Sequence, residues 1–473
     1  MQDRYTRRRF LVTAGATASA TVLGASLFNI ETVLAGPPVV RRDIGGLKAS
    51  DSIIVSYRKA IKAMRALPDH DPLSWAFQAA IHGTTLSPPL PTWNKCEHGT
   101  DFFWSWHRMY LYWFERIIRK MSGDKDWALP YWNWTSSSER QLPPMFRNTS
   151  SDLYTVHRNP AINSGAGSLP AAHVSYSSSF VETNFLSANS TIQGTPHGAV
   201  HVDVGGWMGN ISTAGQDPIF YLHHSNIDRL WNLWLAQGGG RHDPLGDAAW
   251  RNKKSTFFDE NGHKVEMTAC DVLRAAEQLN YTYEDEPAEV NEYCRGQLPP
   301  RIVPAVEVLI QLPGPPVELG AQPVSMPVDA RQIRDRLLPL AKSGNETVLL
   351  VLEDIEAATQ PGIVWEVYLG LPANAAPDPE GPQFVGNVVL FGPGIRDQMP
   401  AGEFMPGHFA FAINRALLAA LQGNEATLQV TFVPSGILID GKSAPPQVAT
   451  PARIGHAAFA VRRERQQPAG TVP

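Results

Sequence analysis

DPIFYLHHSNIDRLWNLWLAQGGG, residues 217–240, decides the fold. Asp217-Pro218 offers a cap followed by a proline suited to the first helical position. Apolar residues then recur at Ile219, Leu222, Ile227, Leu230, Trp231 and Trp234, the spacing of a helix face, and Gly238-Gly239-Gly240 ends the run. A buried helix is predicted, and it carries two adjacent histidines, His223 and His224.

Working outward, TPHGAVHVDVGG places His197 and His201 at i and i+4, one turn apart on a shared face. CEHGTDFFWSWHRMYLYWFE (96–115) sets His98 and His107 among aromatics, with Cys96 two residues before the first. Taken alone, that stretch fits a packed core with incidental polar residues as well as a metal site in an apolar shell. Helical spacing runs through HRMYLYWFERIIRKM (107–121), and through 50–67 at Ile54, Tyr57, Ile61, Met64 and Leu67. Asp71-Pro72 opens a predicted helix over LSWAFQAAIH that ends at His82 and Gly83. Two sets of three imidazoles result: His82, His98 and His107, then His197, His201 and His224. Helices of one bundle core carrying them can hold two metal ions.

Imidazole suits Zn, Cu, Fe and Ni. The Glu and Glu-x-x-His set of di-iron bundles is missing, and so is the H-E-x-x-H of zinc hydrolases. An all-histidine, aromatic-rich site favours two copper ions, a pair able to bind O2. An isolated i,i+4 histidine pair is more often a core or surface feature. Six at these positions are hard to explain that way.

The 473 residues suffice for two or three domains. A 43% hydrophobic, 18% charged composition with net charge −5 suits a soluble globular protein and gives no reason to expect nucleic acid or an anionic membrane as partner. Beyond the N-terminus, no apolar run approaches a membrane span. Residues 1–35 combine Thr6-Arg7-Arg8-Arg9-Phe10-Leu11, a weak apolar run and the small-residue end Val33-Leu34-Ala35. That is the pattern of a twin-arginine export signal, hence a periplasmic or secreted product. Three cysteines are too few for a disulfide framework. Cys270 and Cys294 can pair in an exported protein, which leaves Cys96. After about residue 300, RIVPAVEVLIQL, ETVLLVLEDIEA, GIVWEVYLGL, GNVVLFG and ATLQVTFVP read as strands between Pro/Gly turns, interrupted by one short helix, NRALLAALQG. The expected fold class is α+β and multidomain. A mainly helical metal domain on a four-helix bundle (43–250) is followed by a linker (251–300) and a β-sandwich-like domain (301–473).

The residues resemble the type 3 copper proteins: tyrosinases, catechol oxidases and hemocyanins. The resemblance rests on CEHGTDFFWSWHRMYLYWFE, WALPYWNW (127–134), GTPHGAVHVDVGGWMGN (194–210) and DPIFYLHHSNIDRLW (217–231). It is nearest to plant-type polyphenol oxidases, whose post-copper segment residues 255–285 also resemble, in a product whose leader looks bacterial. The resemblance implies that His82, His98 and His107 bind one copper and His197, His201 and His224 the other. His223 is then a packing or supporting residue, with Asn226 and Asp228 as candidates for orienting imidazoles. The competing reading of Asp228-Arg229, only slightly weaker, is a surface ion pair. Cys96 matches the cysteine that forms a thioether to the second ligand, here His98. Where the family places a water-holding glutamate and an asparagine, this chain has Gln193 and Gly198, neither able to make the water a base. Ile211 stands where plant enzymes often set a phenylalanine over the copper.

The implied activity is catechol oxidase: O2 and small phenolic substrates in, o-quinones and water out. Tyrosinase with monophenol hydroxylase activity is the alternative, and an O2 carrier of the hemocyanin kind the remaining one. A copper chaperone is a candidate partner. The β domain is a candidate shield over the copper site, with PDPEGPQ (377–383) and the loop 394–408 as candidate cleavage or plugging segments. A purely structural sandwich is the competing reading.

Overall fold

A computed structural model describes residues 37–286, 294, 301–343, 346–372, 375–398, 404–423, 425–444 and 447–467. The predicted leader, part of the linker and residues 399–403 of the 394–408 loop lie outside the described residues. Pro38–Pro473 forms one compact unit.

Helix α1 (Ser52–Arg65) buries Ile54, Tyr57, Ala60, Ile61 and Met64, its apolar stripe. Helix α2 (Trp75–His82) is capped by Ser74, whose Oγ accepts from the Phe77 amide at 3.0 Å. Asp71 does not cap it: its carboxylate accepts from Leu73 N in the preceding turn. Helix α3 (Phe103–Ser122) begins four residues before His107 and ends at Gly123, whose φ of +78° closes it. Every residue from Phe103 to Leu111 is buried, so no polar face marks the true start. Helix α4 (Ala199–Val204) follows an irregular helical turn, Gln193–Gly198, in which Thr195 leaves helical geometry (φ −132°, ψ 126°). The His197/His201 pair therefore spans a wide turn and a regular helix. Helix α5 (Ile219–Ala236) matches the predicted span, and Asp217 Oδ1 accepts from Ile219 N at its start.

Strand β1 (Val39–Arg41) pairs in parallel with β2 (Tyr281–Tyr283) and drives Arg41 into the interior. Arg41 Nε meets Glu115 at 2.9 Å, and Asp228 accepts from Arg41, Arg108, Tyr281 and Tyr283. Asp228 is thus no surface partner of Arg229, which pairs with Asp285 instead. Burial alone would raise the Asp228 pKa; Arg108 and Arg41 outweigh it and hold the carboxyl below its usual range. Cys270 and Cys294 form a disulfide.

The C-terminal strands make two four-stranded sheets. In chain order they are β3 (Arg301–Gln311), β4 (Val324–Asp329), β5 (Thr347–Ile355), β6 (Val364–Leu369), β7 (Phe384–Val388), β8 (Gly407–Ala412), β9 (Thr427–Ser435) and β10 (His456–Gln467). One sheet has the order β7-β6-β9-β4 and the other β8-β5-β10-β3. Their inner faces share a core in which Trp365, Val367, Val430 and Phe432 meet Leu350, Leu352 and Phe459. Three helices, not one, interrupt the described strands: Ala330–Arg336, Leu338–Ser343 and Asn414–Ala420. Strands β4, β8 and β10 escape the sequence reading. Pro327 obscures β4, an edge strand where proline is tolerated, and the Arg-rich end of β10 hides its alternation. GNVVLFG is a strand only to Val388. Its LFG end leaves the sheet, and Phe391 joins the hydrophobic core of the helical part.

Candidate metal centre

All six predicted ligand histidines are brought together, each at most 6% exposed. His107 stacks on His224 with ring centroids 4.3 Å apart, and His98 lies 5.1 Å from both His82 and His107. His197 lies 4.7 Å from His201 and 5.0 Å from His224. Ligating atoms cluster within 4.8 Å of one another in three overlapping groups: His82, His107 and His224; His197, His201, His223 and His224; and His82, Cys96 and His98. His224 thus bridges the two predicted sets, and His223 stands closer to the centre than its reading as packing implies.

Four rings are oriented the same way. A backbone carbonyl faces Nδ1, leaving Nε2 for the centre: Ile211 O for His82 at 3.1 Å, Phe103 O for His107 at 2.8 Å, Gln193 O for His197 at 2.9 Å and Met208 O for His201 at 2.7 Å. The carbonyl fixes the tautomer with the proton on Nδ1 and the lone pair on Nε2. Gly83 admits the first of these contacts, since a Cβ there would collide with the Ile211 carbonyl. His98 alone among the six has neither ring nitrogen hydrogen-bonded. Cys96 Sγ belongs to its group, and burial with Glu97 close by pushes that thiol far up. Glu97 is held by Thr100 Oγ1 and by Lys253.

The centre fits metal. The Nε2 atoms of His82, His107 and His197 are buried without a hydrogen-bond partner, and those of His201 and His224 face each other at 3.3 Å. Burial, with His197 adding to it, pushes His82 down to about 3, and burial takes His197 to about 3; the other four fall well below the usual imidazole range for the same first cause. Neutral imidazoles with free lone pairs, packed where nothing else satisfies them, are a donor set for soft, nitrogen-loving ions. The shell is aromatic: Phe103 lies 4.6 Å from His107, and Phe220 4.3 Å from His224. Trp134 Nε1 donates to His223 Nδ1 at 3.2 Å. Asn226 turns its oxygen to Arg229.

The three remaining predicted positions are all engaged, Gly198 and Ile211 by the β domain. Gln193 Oε1 accepts from Gly99 N at 2.7 Å, and Nε2 donates to Thr100 O and Asn189 O at 3.1 Å each. Its amide ties down the loop that carries His98. Gly198 faces the β domain: a Cβ there would lie 3.0 Å from Gln193 O and 3.2 Å from Val389 Cγ1. Ile211 is 8% exposed and packs on Gly392 of the β domain. Phe391, which sequence reasoning missed, stacks on His201 at 4.0 Å and 17°, with His98 and His197 at 5.5 and 5.6 Å. It lies three residues before the 394–408 loop, and nothing in local sequence distinguishes it from a strand-end core residue.

Residues 72–185 and 172–237 match the common central domain of tyrosinase, and 245–293 the polyphenol oxidase middle domain. A tyrosinase of Hahella sp. is 35% identical over 298 residues, 51% of this chain and 62% of the relative. The latent form of a chloroplastic polyphenol oxidase of Prunus armeniaca is 28% identical over 396 residues, 72% of this chain and 64% of that one. The chain therefore spans less than two thirds of the length of these relatives. The fold is that of latent apple tyrosinase (TM-score 0.63, 23% identity, 90% of this chain and 98% of that one covered). A latent aurone synthase gives TM-score 0.62 at 22% identity, covering 91% and 90%. With a central domain and a middle domain of that kind in succession, and two imidazole sets suited to two copper ions between its helices, the chain carries the dicopper domain of the tyrosinase and polyphenol oxidase family and the middle domain that follows it there.

Proposed function

We propose that the protein is a polyphenol oxidase of the catechol oxidase kind: two o-diphenols and one O2 become two o-quinones and two waters. The observation that carries this reading is the convergence of the buried, neutral imidazoles with unsatisfied nitrogens. His82, His98 and His107 hold one copper; His197, His201 and His224 hold the other. The copper pair, when bound, supplies O2 binding and the passage of electrons from diphenol to O2. The chain's own residues orient the imidazoles through four backbone carbonyls and exclude water with Phe103, Phe220 and Trp106.

Diphenol oxidation without monophenol hydroxylation follows from positions 193 and 198. Hydroxylating a monophenol needs its proton removed near copper. Gln193 carries no charge and spends both ends of its amide on backbone, and Gly198 has no side chain. A Cys96–His98 thioether, formed with loss of the Sγ and ring hydrogens and two electrons passing to O2, would pin the one ring that lacks a hydrogen-bonded anchor. A chain mass lower by two hydrogens reports it.

The domain plan we propose is a leader (1–35) for twin-arginine export, a copper domain (43–250), a linker (251–300) and a β domain (301–473) that shields the copper site. Phe391 supports the shield, because it covers imidazoles of both predicted sets. Ile211 can act as a gate only once Gly392 has moved off it. Oxygen uptake by the copper-loaded chain, with a catechol and its matching monophenol, before and after limited proteolysis, tests the whole reading. Uptake with the catechol alone, rising on proteolysis, is expected. Equal uptake with both would make the enzyme a tyrosinase, and none in either state would leave an O2 carrier.

A further inference from the structure

The loop Met208–Ile211 serves both predicted copper sets. Ile211 O faces His82 Nδ1, and Met208 O faces His201 Nδ1. One short segment thus orients one ring on each side of the centre. The same loop is gripped by two glutamines of the β domain. Gln398, 5% exposed, accepts from Ile211 N through Oε1 at 3.2 Å and donates to Gly209 O through Nε2 at 3.2 Å. Gln360 Nε2 donates to that same Gly209 O at 2.8 Å and to Leu390 O at 3.0 Å. Between the two carbonyls that aim the imidazoles, the amide of Ile211 and the carbonyl of Gly209 are thus satisfied by the other domain.

We infer that Gln398 and Gln360 are positioning residues: through the 208–211 loop, the β domain holds His82 and His201 in copper-binding orientation and slows copper loss. The shield is then also a clamp, and opening it loosens the metal it uncovers. The physical case is local. Without the glutamines, the Gly209 carbonyl and Ile211 amide must find water or each other. The loop, with Gly209 inside it, gains freedom, and the two imidazoles lose the fixed acceptors that set tautomer and angle. Removing a partner that supports a ligand typically weakens metal binding about 10–100-fold. Thermodynamic reciprocity adds a consequence: if domain closure tightens copper, copper tightens closure by the same factor.

This inference rests on His82 and His201 being copper ligands, and the test separates the two. The holoenzyme is given an excess of a copper chelator under reducing conditions, and release is followed by the chelator's absorbance. The paramagnetic signal of the reoxidised protein reports any copper ion that has lost its partner, because a coupled Cu(II) pair gives no signal. Gln398→Leu should release copper at least tenfold faster than the parent chain. Gln398→Glu keeps an acceptor for Ile211 N but sets a carboxylate oxygen against Gly209 O, so its release should fall between the parent and Gln398→Leu. Gln360→Leu, at the outer edge of the loop, should show a smaller acceleration and keeps the inference testable if Gln398→Leu does not fold. Phe391→Ala favours the open arrangement with both glutamines in place, so it should also release copper faster than the parent. Apo protein should be cut faster than copper-loaded protein in the 394–408 segment. Two coppers in the parent with unchanged release from both glutamine variants would overturn the clamp and leave the copper reading intact. A parent chain that binds no copper would overturn the copper reading itself.

Discussion

Replacing Phe391 by alanine should convert the closed chain into an active one. The ring is 6% exposed and meets three imidazoles, at 4.0, 5.5 and 5.6 Å. Aromatic pairs of this kind contribute about 0.5–1.5 kcal/mol each, so truncation removes roughly 3 kcal/mol that favours the closed arrangement. With every 1.4 kcal/mol worth about tenfold, the uncovered population rises on the order of a hundredfold. The assay is oxygen uptake with a simple catechol by the intact, copper-loaded variant, beside the parent chain before and after limited proteolysis. The intact variant should approach the proteolysed parent, and proteolysis should add little further. Copper content, measured on the same samples, must be equal for the comparison to hold. If the intact variant carries two coppers and is no more active than the intact parent, Phe391 does not gate the site and the shielding argument fails.

The double variant Gln193→Glu with Gly198→Asn should raise monophenol hydroxylation relative to diphenol oxidation. The gain should emerge only after β-domain removal, because Val389 crowds the Gly198 position. An unchanged ratio in the trimmed variant would defeat that reasoning. Asp228→Asn leaves Arg108 buried without its counter-charge and Arg41 with Glu115 alone; a loss of about 3–5 kcal/mol is expected, read as a large fall in denaturation midpoint, and a fall under about 1 kcal/mol would contradict it. His173 is buried where the domains meet, bonded to Asp203 at 2.9 Å through Nδ1 and to Ser435 Oγ of the β domain at 3.1 Å through Nε2. Burial alone would lower its pKa, but Asp203, with Glu366 assisting, raises it. Its stabilising charge is thus fully present below the ordinary histidine range, about 6.5, and is lost as pH rises through the raised folded value. The stability advantage of the parent over His173→Gln should therefore shrink as pH rises from below the ordinary histidine value through the raised folded one, and an advantage that grows instead would show the sign to be wrong.

The clustered histidines and the helices near them were legible because burial and closely placed imidazoles both leave periodic, local marks: apolar spacing, a capping residue, histidines a turn apart. The ends of α2 and α3 were less so. Ser74 rather than Asp71 caps α2 because the Asp71 carboxylate is already spent on Leu73 N, a matter of reach that spacing does not encode. The start of α3 is hidden because its first turns are buried on every side. The role of Asp228 stayed open between orienting an imidazole and a surface pair, since its partners Arg41 and Arg108 come from 187 and 120 residues away.

By itself, then, the sequence determined an α+β chain with two three-histidine sets, a copper-type donor chemistry and the lack of a charged base at position 193. Only the tertiary structure decided what covers that centre and what steadies it. Phe391, Gln360 and Gln398 are ordinary residues of a β domain until the chain folds back over its helices, and their contacts at Gly209, Ile211 and His201 join positions more than 150 residues apart. Such long-range contacts leave no periodicity in the chain. They arise from the way two separately formed hydrophobic cores meet, and that meeting is set by the shape and polarity of whole surfaces.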